Sequence, residues 1–176
     1  HELMHENDSL YELLATEYRG RAPWRMVEWF WGDERCVPPD HSQSNYRMAR
    51  DTLLAPLRVP SGMIHPIACT REPKAAAEAY EELLRARLTA GRFDLMLLGL
   101  GTDGHTASLF PGSPALDEQA RLAVAVTGGP ELAVRERVTV TLPLINRARS
   151  IFFLVSGADK RDAARAALAG DPAVPA

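Results

Sequence analysis

Cysteine and long apolar runs are the scarcest features of this 176-residue sequence. It contains only two cysteines, Cys36 and Cys69, and they lack the C-x-x-C spacing of a zinc knuckle. A disulfide framework is not expected from such a pair, which fits a reducing compartment. No apolar run reaches the length of a membrane span, and no signal-peptide pattern opens the chain. These features predict a cytoplasmic protein without a membrane partner.

An excess of basic residues is also missing. The 20 Lys and Arg residues face 23 Asp and Glu residues, which leaves a net charge of -3. This balance gives no reason to expect nucleic acid as a partner. The hydrophobic share of 46% and the chain length suit one compact domain over residues 1–176.

Short apolar runs alternate with helical patterns along the chain. Strands are predicted in residues 26–31, 93–100, 121–126, 137–142 and 150–155. Helices are predicted in residues 10–18, 45–57, 74–90 and 158–170, the first of them capped by Asn7–Ser9 and ended by Gly20. Residues 33–45 are expected to form a loop. This alternation predicts an α/β fold with helices on both faces of a sheet, and ligands in such folds bind at the carboxyl ends of the strands.

The stretch GLGTDGHTASLFPG follows the most apolar of the predicted strands. Gly99, Gly101 and Gly104 match the dinucleotide pattern G-x-G-x-x-G. No acidic residue ends the next strand to hold a ribose, and Asp103 would repel a pyrophosphate, so this interpretation is disfavoured. An aspartate beside His105 instead favours a catalytic base, because the carboxylate orients the imidazole and stabilises its charged form. The segment from His105 onwards is expected to begin a helix, whose amides favour an anion.

Two other strand ends carry charged residues. Asp33, Glu34 and Arg35 follow the aromatic strand, and at least one of them is expected to point into the cleft. Lys160 is predicted in the first turn of a helix, where the helix dipole favours anions over cations, so a bound anion is expected beside it. Arg137 is a second candidate ligand for that anion.

The opening residues HELMH match the zinc-hydrolase pattern H-E-x-x-H, with Glu2 as base. The context disfavours a metal site, because the caps at Asn7–Ser9 are expected to start a new helix directly after the motif. No metal ligand is therefore predicted.

Three long segments together resemble the 6-phosphogluconolactonases of the glucosamine-6-phosphate isomerase/6-phosphogluconolactonase family. They are WFWGDERCVPPDHSQSNYRMARDTLL, FDLMLLGLGTDGHTASLFPGSPAL and RVTVTLPLINRARSIFFLVSGADKRDAARAAL, and the resemblance extends from Leu10 to Gly170. It implies a doubly wound, mainly parallel sheet with flanking helices. It also implies hydrolysis of 6-phospho-D-glucono-1,5-lactone to 6-phosphogluconate in the oxidative pentose phosphate pathway.

The resemblance implies a role for each candidate residue. His105 activates the attacking water and returns the proton to the ring oxygen, while Asp103 and Asp33 orient the imidazole and the substrate. Arg35, or amides of the glycine loop, would stabilise the oxyanion.

The remaining candidates bind substrate in this interpretation. Arg137 and Lys160 match the expected phosphate ligands, and Gly99, Gly101 and Gly104 let the phosphosugar approach the strand end. No metal or organic cofactor is implied.

One part of the family pattern is missing. Family members carry a Ser/Gly-rich loop of the form S-G-G-S-T-P before the first helix, whereas this chain reads HELMHENDS there. The first strand with its phosphate loop and the last elements are therefore expected to be absent, so that the domain is incomplete at both ends.

Two alternative functions stay open. A glucosamine-6-phosphate deaminase would share the Asp-Gly-His triplet, but this chain continues TASLFPG, without an acid until Asp117. A non-catalytic phosphosugar-binding module would result from loss of the early loop.

Overall fold

The computed structural model describes the backbone of residues 2–70 and 72–176, with side chains from residue 9 onwards. The helices are α1 (Glu2–Ala15), α2 (Asn45–Ala49), α3 (Pro73–Arg87), α4 (Leu142–Asn146) and α5 (Arg161–Leu168). The strands are β1 (Trp29–Phe30), β2 (Asp33–Arg35), β3 (Ile64–His65), β4 (Met96–Gly99), β5 (Ala123–Thr127), β6 (Glu136–Val140) and β7 (Ile151–Leu154). A π-helical turn, Arg50–Leu54, extends α2, and short 3-10 turns fill several connections.

The strands form two parallel pairs and one antiparallel sheet. β1 pairs with β3 and β4 with β7, both in parallel, while β6 lies between β2 and β5 and runs antiparallel to each. The α/β class with parallel strands is confirmed. The antiparallel sheet and the strand β2, which lies inside the predicted loop of residues 33–45, were not predicted.

A large part of the core lies where α3 packs against β5 and β6. Its fully buried side chains include Leu84, Leu109, Val138, Val140 and Leu144, each 0% exposed. Burying one such side chain contributes about 1.5–3 kcal/mol. The core therefore anchors the strand ends from which the candidate site residues extend.

Register places two of these strand ends side by side. Gly99 of β4 lies opposite Leu154 of β7 in the parallel ladder. The glycine loop (residues 99–105) and the turn Ala158–Lys160 therefore leave the sheet at the same edge.

The first helix differs from its prediction. It runs without interruption from Glu2 to Ala15, so the expectation that a new helix starts at Asn7–Ser9 is wrong. A capping preference is worth only about 1 kcal/mol, and a helix that packs Tyr11 and Leu14 against the core overrides it. The side chains of the H-E-x-x-H motif lie outside the described residues.

The residues after His105 also differ from expectation, because they form tight turns rather than a helix. Ala107 adopts a left-handed conformation with φ of 49°, and Thr106 bridges to Leu109. Buried polar contacts hold these turns, since the Thr106 hydroxyl donates to the Gly99 carbonyl at 2.9 Å. No helix dipole is therefore available at this position.

Cys36 and Cys69 form a disulfide, against the expectation from their spacing. They are 33 residues apart in sequence, yet their Cα atoms lie 4.6 Å apart. The parallel pairing of β1 with β3 brings the segments after these strands together.

No helix in the described part of the chain has the length and apolarity to cross a membrane.

Candidate active site

The histidine of the glycine loop is paired with the aspartate two residues before it. His105 Nδ1 lies 2.6 Å from Asp103 Oδ1, and the His105 backbone N–H donates to the same oxygen at 3.1 Å. Burial acts to raise the pKa of Asp103, but these bonds outweigh it and lower the pKa below its usual value. An imidazole held through Nδ1–H by a carboxylate presents Nε2 as a base. The side chain of His105 is 16% exposed and that of Asp103 is 51% exposed, so water reaches the pair.

Gly101 makes this pair possible. A Cβ atom at Gly101 would lie 2.1 Å from His105 Nδ1 and 2.6 Å from Asp103 Oδ1. The Gly101 N–H donates to the His105 carbonyl at 2.7 Å, and the Gly104 N–H donates to the Gly101 carbonyl at 3.0 Å. Both amides are therefore engaged inside the loop and do not donate to a ligand. The glycine at position 101 instead leaves room for the His105–Asp103 pair.

Asp33 lies at the centre of a polar cluster behind the loop. Its Oδ2 accepts a hydrogen bond from Ser108 Oγ at 2.6 Å, and its Oδ1 accepts from Asn45 Nδ2 at 3.2 Å. Arg137 Nη1 lies 3.9 Å from Oδ2. We call Asp33, Asn45, Ser108 and Arg137 the Asp33 cluster. Of the three consecutive charged residues on β2, Asp33 is the one joined to both Arg137 and the segment after His105.

Glu34 has a structural role that sequence reasoning did not assign. Its buried carboxylate accepts from the backbone N–H groups of Asn45 and Tyr46 at 2.8 and 2.7 Å, and from Ser44 Oγ at 3.1 Å. Burial raises the pKa of Glu34, although these backbone bonds act in the opposite direction. The carboxylate thus satisfies the free amides at the start of α2.

Arg35 fixes the loop between β2 and α2. Its Nη1 donates to the Gln43 carbonyl at 3.0 Å and to Asn45 Oδ1 at 2.7 Å. In the antiparallel register Arg35 lies opposite Arg137. Arg35 therefore borders the Asp33 cluster.

The two predicted anion ligands are both buried, which is unusual for cationic side chains. Burial lowers the pKa of Arg137, while the charge of Asp33 acts to raise it. Lys160 is only 4% exposed, and no hydrogen bond or ion pair joins its ammonium group to the side chains described from residue 9 onwards. A cationic residue that is almost wholly enclosed favours an anionic ligand at its charged end.

Sequence reasoning missed Asn45, Ser108 and Phe110. The ring of Phe110 lies 4.9 Å from the imidazole of His105, centroid to centroid. Ser108 and Phe110 belong to the same motif as His105, so their proximity to it was the available signal. Nothing in the local sequence indicated Asn45, which the fold brings to Asp33 from a different element.

Among the described side chains, no group of three or more His, Cys, Asp or Glu residues is arranged to hold a metal ion.

Comparison with known proteins defines the family. The family described as glucosamine-6-phosphate isomerases/6-phosphogluconolactonase matches residues 6–176, and the chain belongs to it. The resemblance found in the sequence motifs is confirmed.

Relatives and solved structures agree. The chain is 46% identical over 164 residues to a 6-phosphogluconolactonase of Mycobacterium tuberculosis, covering 87% of this chain and 66% of that protein. It is 48% identical over 160 residues to one of Synechocystis sp., covering 88% and 64%. The structure of 6-phosphogluconolactonase from Trypanosoma brucei superposes with a TM-score of 0.82 at 34% identity, covering 96% of this chain and 72% of that one. The chain thus spans about two thirds of the length of these curated relatives.

Proposed function

We propose that this protein hydrolyses 6-phospho-D-glucono-1,5-lactone to 6-phospho-D-gluconate, a step of the oxidative pentose phosphate pathway. The observation that carries the proposal is the His105–Asp103 pair, with its 2.6 Å bond, at the carboxyl end of β4. Relatives named 6-phosphogluconolactonase at 46–48% identity support the choice of substrate.

Water is the nucleophile in this reaction. His105 Nε2 takes a proton from the water as its oxygen attacks the lactone carbonyl, which gives a tetrahedral oxyanion. The oxyanion collapses, the bond between the carbonyl carbon and the ring oxygen breaks, and His105 returns the proton to that oxygen. Asp103 keeps the imidazole in the required tautomer and stabilises the imidazolium between the two transfers.

Stabilisation of the oxyanion is assigned to Arg35. The amides of Gly101 and Gly104 are engaged inside the loop, so the guanidinium is favoured over these two amides. Asp33 then acts mainly through Arg137 and Ser108, which it orients at the rear of the site.

The phosphate is assigned to Arg137 and Lys160. Buried cations bind a phosphate more strongly than exposed ones, because less water competes for the anion. The register of β4 with β7 supports this assignment, since it places the turn that carries Lys160 at the same sheet edge as His105. All the steps use side chains and water, so no cofactor enters the proposal.

The test is acid release from the phosphorylated lactone in weak buffer, corrected for spontaneous ring opening. The full chain is expected to accelerate hydrolysis, and His105→Ala to lower kcat by about 10²- to 10⁴-fold without loss of folding. His41→Ala, which removes an exposed histidine, is the matched control and is expected to keep the rate. A normal rate in the His105 variant removes His105 from the mechanism. Ammonia release from glucosamine 6-phosphate, without lactone hydrolysis, favours the deaminase alternative.

A further inference from the structure

The base and one of the phosphate ligands of the proposed reaction touch the same aromatic ring. The ring of Phe110 lies 4.9 Å from the imidazole of His105 at an interplanar angle of 47°. The guanidinium carbon of Arg137 lies over the same ring, 5.6 Å from its centroid. A cation over an aromatic face is attracted by the electron density of the ring. Phe110 therefore contacts both of the groups that the proposed reaction places at different ends of the substrate.

The ring is itself fixed by its surroundings. Its Cε2 and Cζ atoms lie 3.4 Å from the position that a Cβ would take at Gly128, so the ring packs closely on this turn. Leu109, the preceding residue, is fully buried in the core, and the Phe110 carbonyl accepts a hydrogen bond from Ser113 N–H at 3.0 Å. A side chain held in this way transmits its position to its neighbours.

We propose that Phe110 is a positioning residue that sets the spacing between the imidazole of His105 and the guanidinium of Arg137. This inference rests on the proposed function. The lactone carbonyl and the phosphate are separated by a fixed length of sugar, so a fixed distance between base and cation selects lactones that carry the phosphate. Displacement of a reacting group by about 1 Å can lower a rate by 10²-fold, which makes this spacing important for the rate as well.

A role of Phe110 in filling space alone predicts a different result. Leucine and methionine are apolar and occupy much of the volume of the ring, and methionine adapts to irregular gaps. Neither has a flat face to hold the imidazole and the guanidinium. Phe110→Leu and Phe110→Met therefore separate ring geometry from volume, and the second variant also serves if the first folds poorly.

The experiment measures kcat and KM of the full chain and of both variants on the phosphorylated lactone and on unphosphorylated glucono-1,5-lactone. We expect kcat to fall about tenfold on both lactones, since His105 loses its contact. KM is expected to rise severalfold only for the phosphorylated lactone, because only that substrate uses Arg137. Phe93→Leu is the matched control, since Phe93 is a buried aromatic residue that packs edge-to-face on Phe30. It is expected to lower thermal stability and leave both KM values unchanged.

The outcomes separate this inference from the proposed function. Suppose that the wild-type chain hydrolyses the phosphorylated lactone. If the KM of the Phe110 variants then changes equally for both lactones, or if Phe110→Met has the kcat and KM of wild type, the positioning role is overturned and the proposed function stands. If wild-type chain shows no lactonase activity, the proposed function fails, and the role of Phe110 fails with it.

Discussion

The glycine loop and the Asp33 cluster border the same site but are built in opposite ways. In the loop, Asp103 and His105 are two residues apart, with Asp103 exposed and His105 partly exposed, and their bond depends on the absence of a side chain at Gly101. In the cluster, Asp33 and Ser108 are 75 residues apart, and the Ser108 side chain is fully buried. The loop is thus a local structure, whereas the cluster exists only when several elements pack together.

This difference matches two tasks that the proposed reaction requires. A group that exchanges protons with water must be accessible, and the exposed loop provides this. A cation that binds phosphate gains from burial, because its interaction is less screened, and Asp33 offsets part of the cost of burying Arg137. Changes in the loop should therefore affect chemistry, and changes in the cluster should affect stability or phosphate binding.

Among the changes that test this contrast without altering a proposed catalytic side chain, the largest effect is expected at Gly101. Gly101→Ala places a Cβ where the His105–Asp103 pair lies, so the imidazole must move, and kcat on the phosphorylated lactone is expected to fall about 10²-fold. Gly62→Ala is the matched control, because no atom lies within 4 Å of its Cβ position. Calorimetric unfolding should show both variants folded. A wild-type rate in Gly101→Ala contradicts the role given to this glycine.

An effect of about tenfold is expected for each of the buried cations. Arg137→Ala and Lys160→Ala should each weaken binding of 6-phosphogluconate about tenfold or more, since a charge-assisted bond contributes about 1.5–3 kcal/mol. Calorimetric titration with gluconate should show little change. Arg161→Ala, an exposed cation beside Lys160, is the control. Equal losses for both ligands contradict the assignment of the phosphate.

Ser108 tests the cluster by stability rather than by rate. Ser108→Ala removes the 2.6 Å bond to Asp33 and is expected to lower the free energy of unfolding by about 1.5–3 kcal/mol, since the acceptor is charged. Urea denaturation measures this, and Ser150→Ala, an exposed serine, should stay within about 0.5 kcal/mol of wild type. If Ser108→Ala instead matches Ser150→Ala in stability but loses most of its kcat, the contrast between the two regions fails.

The smallest effect is expected from Glu34, which lies beside the cluster. Because burial raises its pKa, the folded chain holds the Glu34 proton at pH values where the unfolded chain, with an ordinary value of 4.5, has released it. Stability should therefore fall as pH rises from about 4.5 through the raised pKa, with a slope of about one proton at most. Glu34→Gln should remove this part of the slope in denaturation measured at several pH values. An unchanged slope in that variant contradicts the assignment.

The contrast between a local structure and one that depends on packing also explains which predictions succeeded. Continuous apolar runs predicted β4 and β7, and helical spacing predicted α3, because burial and periodicity are local properties. The motif around His105 indicated the family, which is confirmed. The chemical roles of His105, Asp103, Arg137 and Lys160 remain predictions. The helix expected after His105 was wrong, because the contacts of Thr106 with Gly99 and of Ser108 with the distant Asp33 determine the turns there.

The sequence by itself determined the α/β class, the family and the proximity of Asp103 to His105, since each depends on residues that are neighbours along the chain. Only the tertiary structure decided that Asp33 faces Ser108 while Glu34 binds the start of α2, and that Cys36 meets Cys69. Charged residues in a row carry no local signal for which partner each will find. Their partners depend on pairing between strands and on which carboxylate becomes buried, and those are properties of the packed molecule.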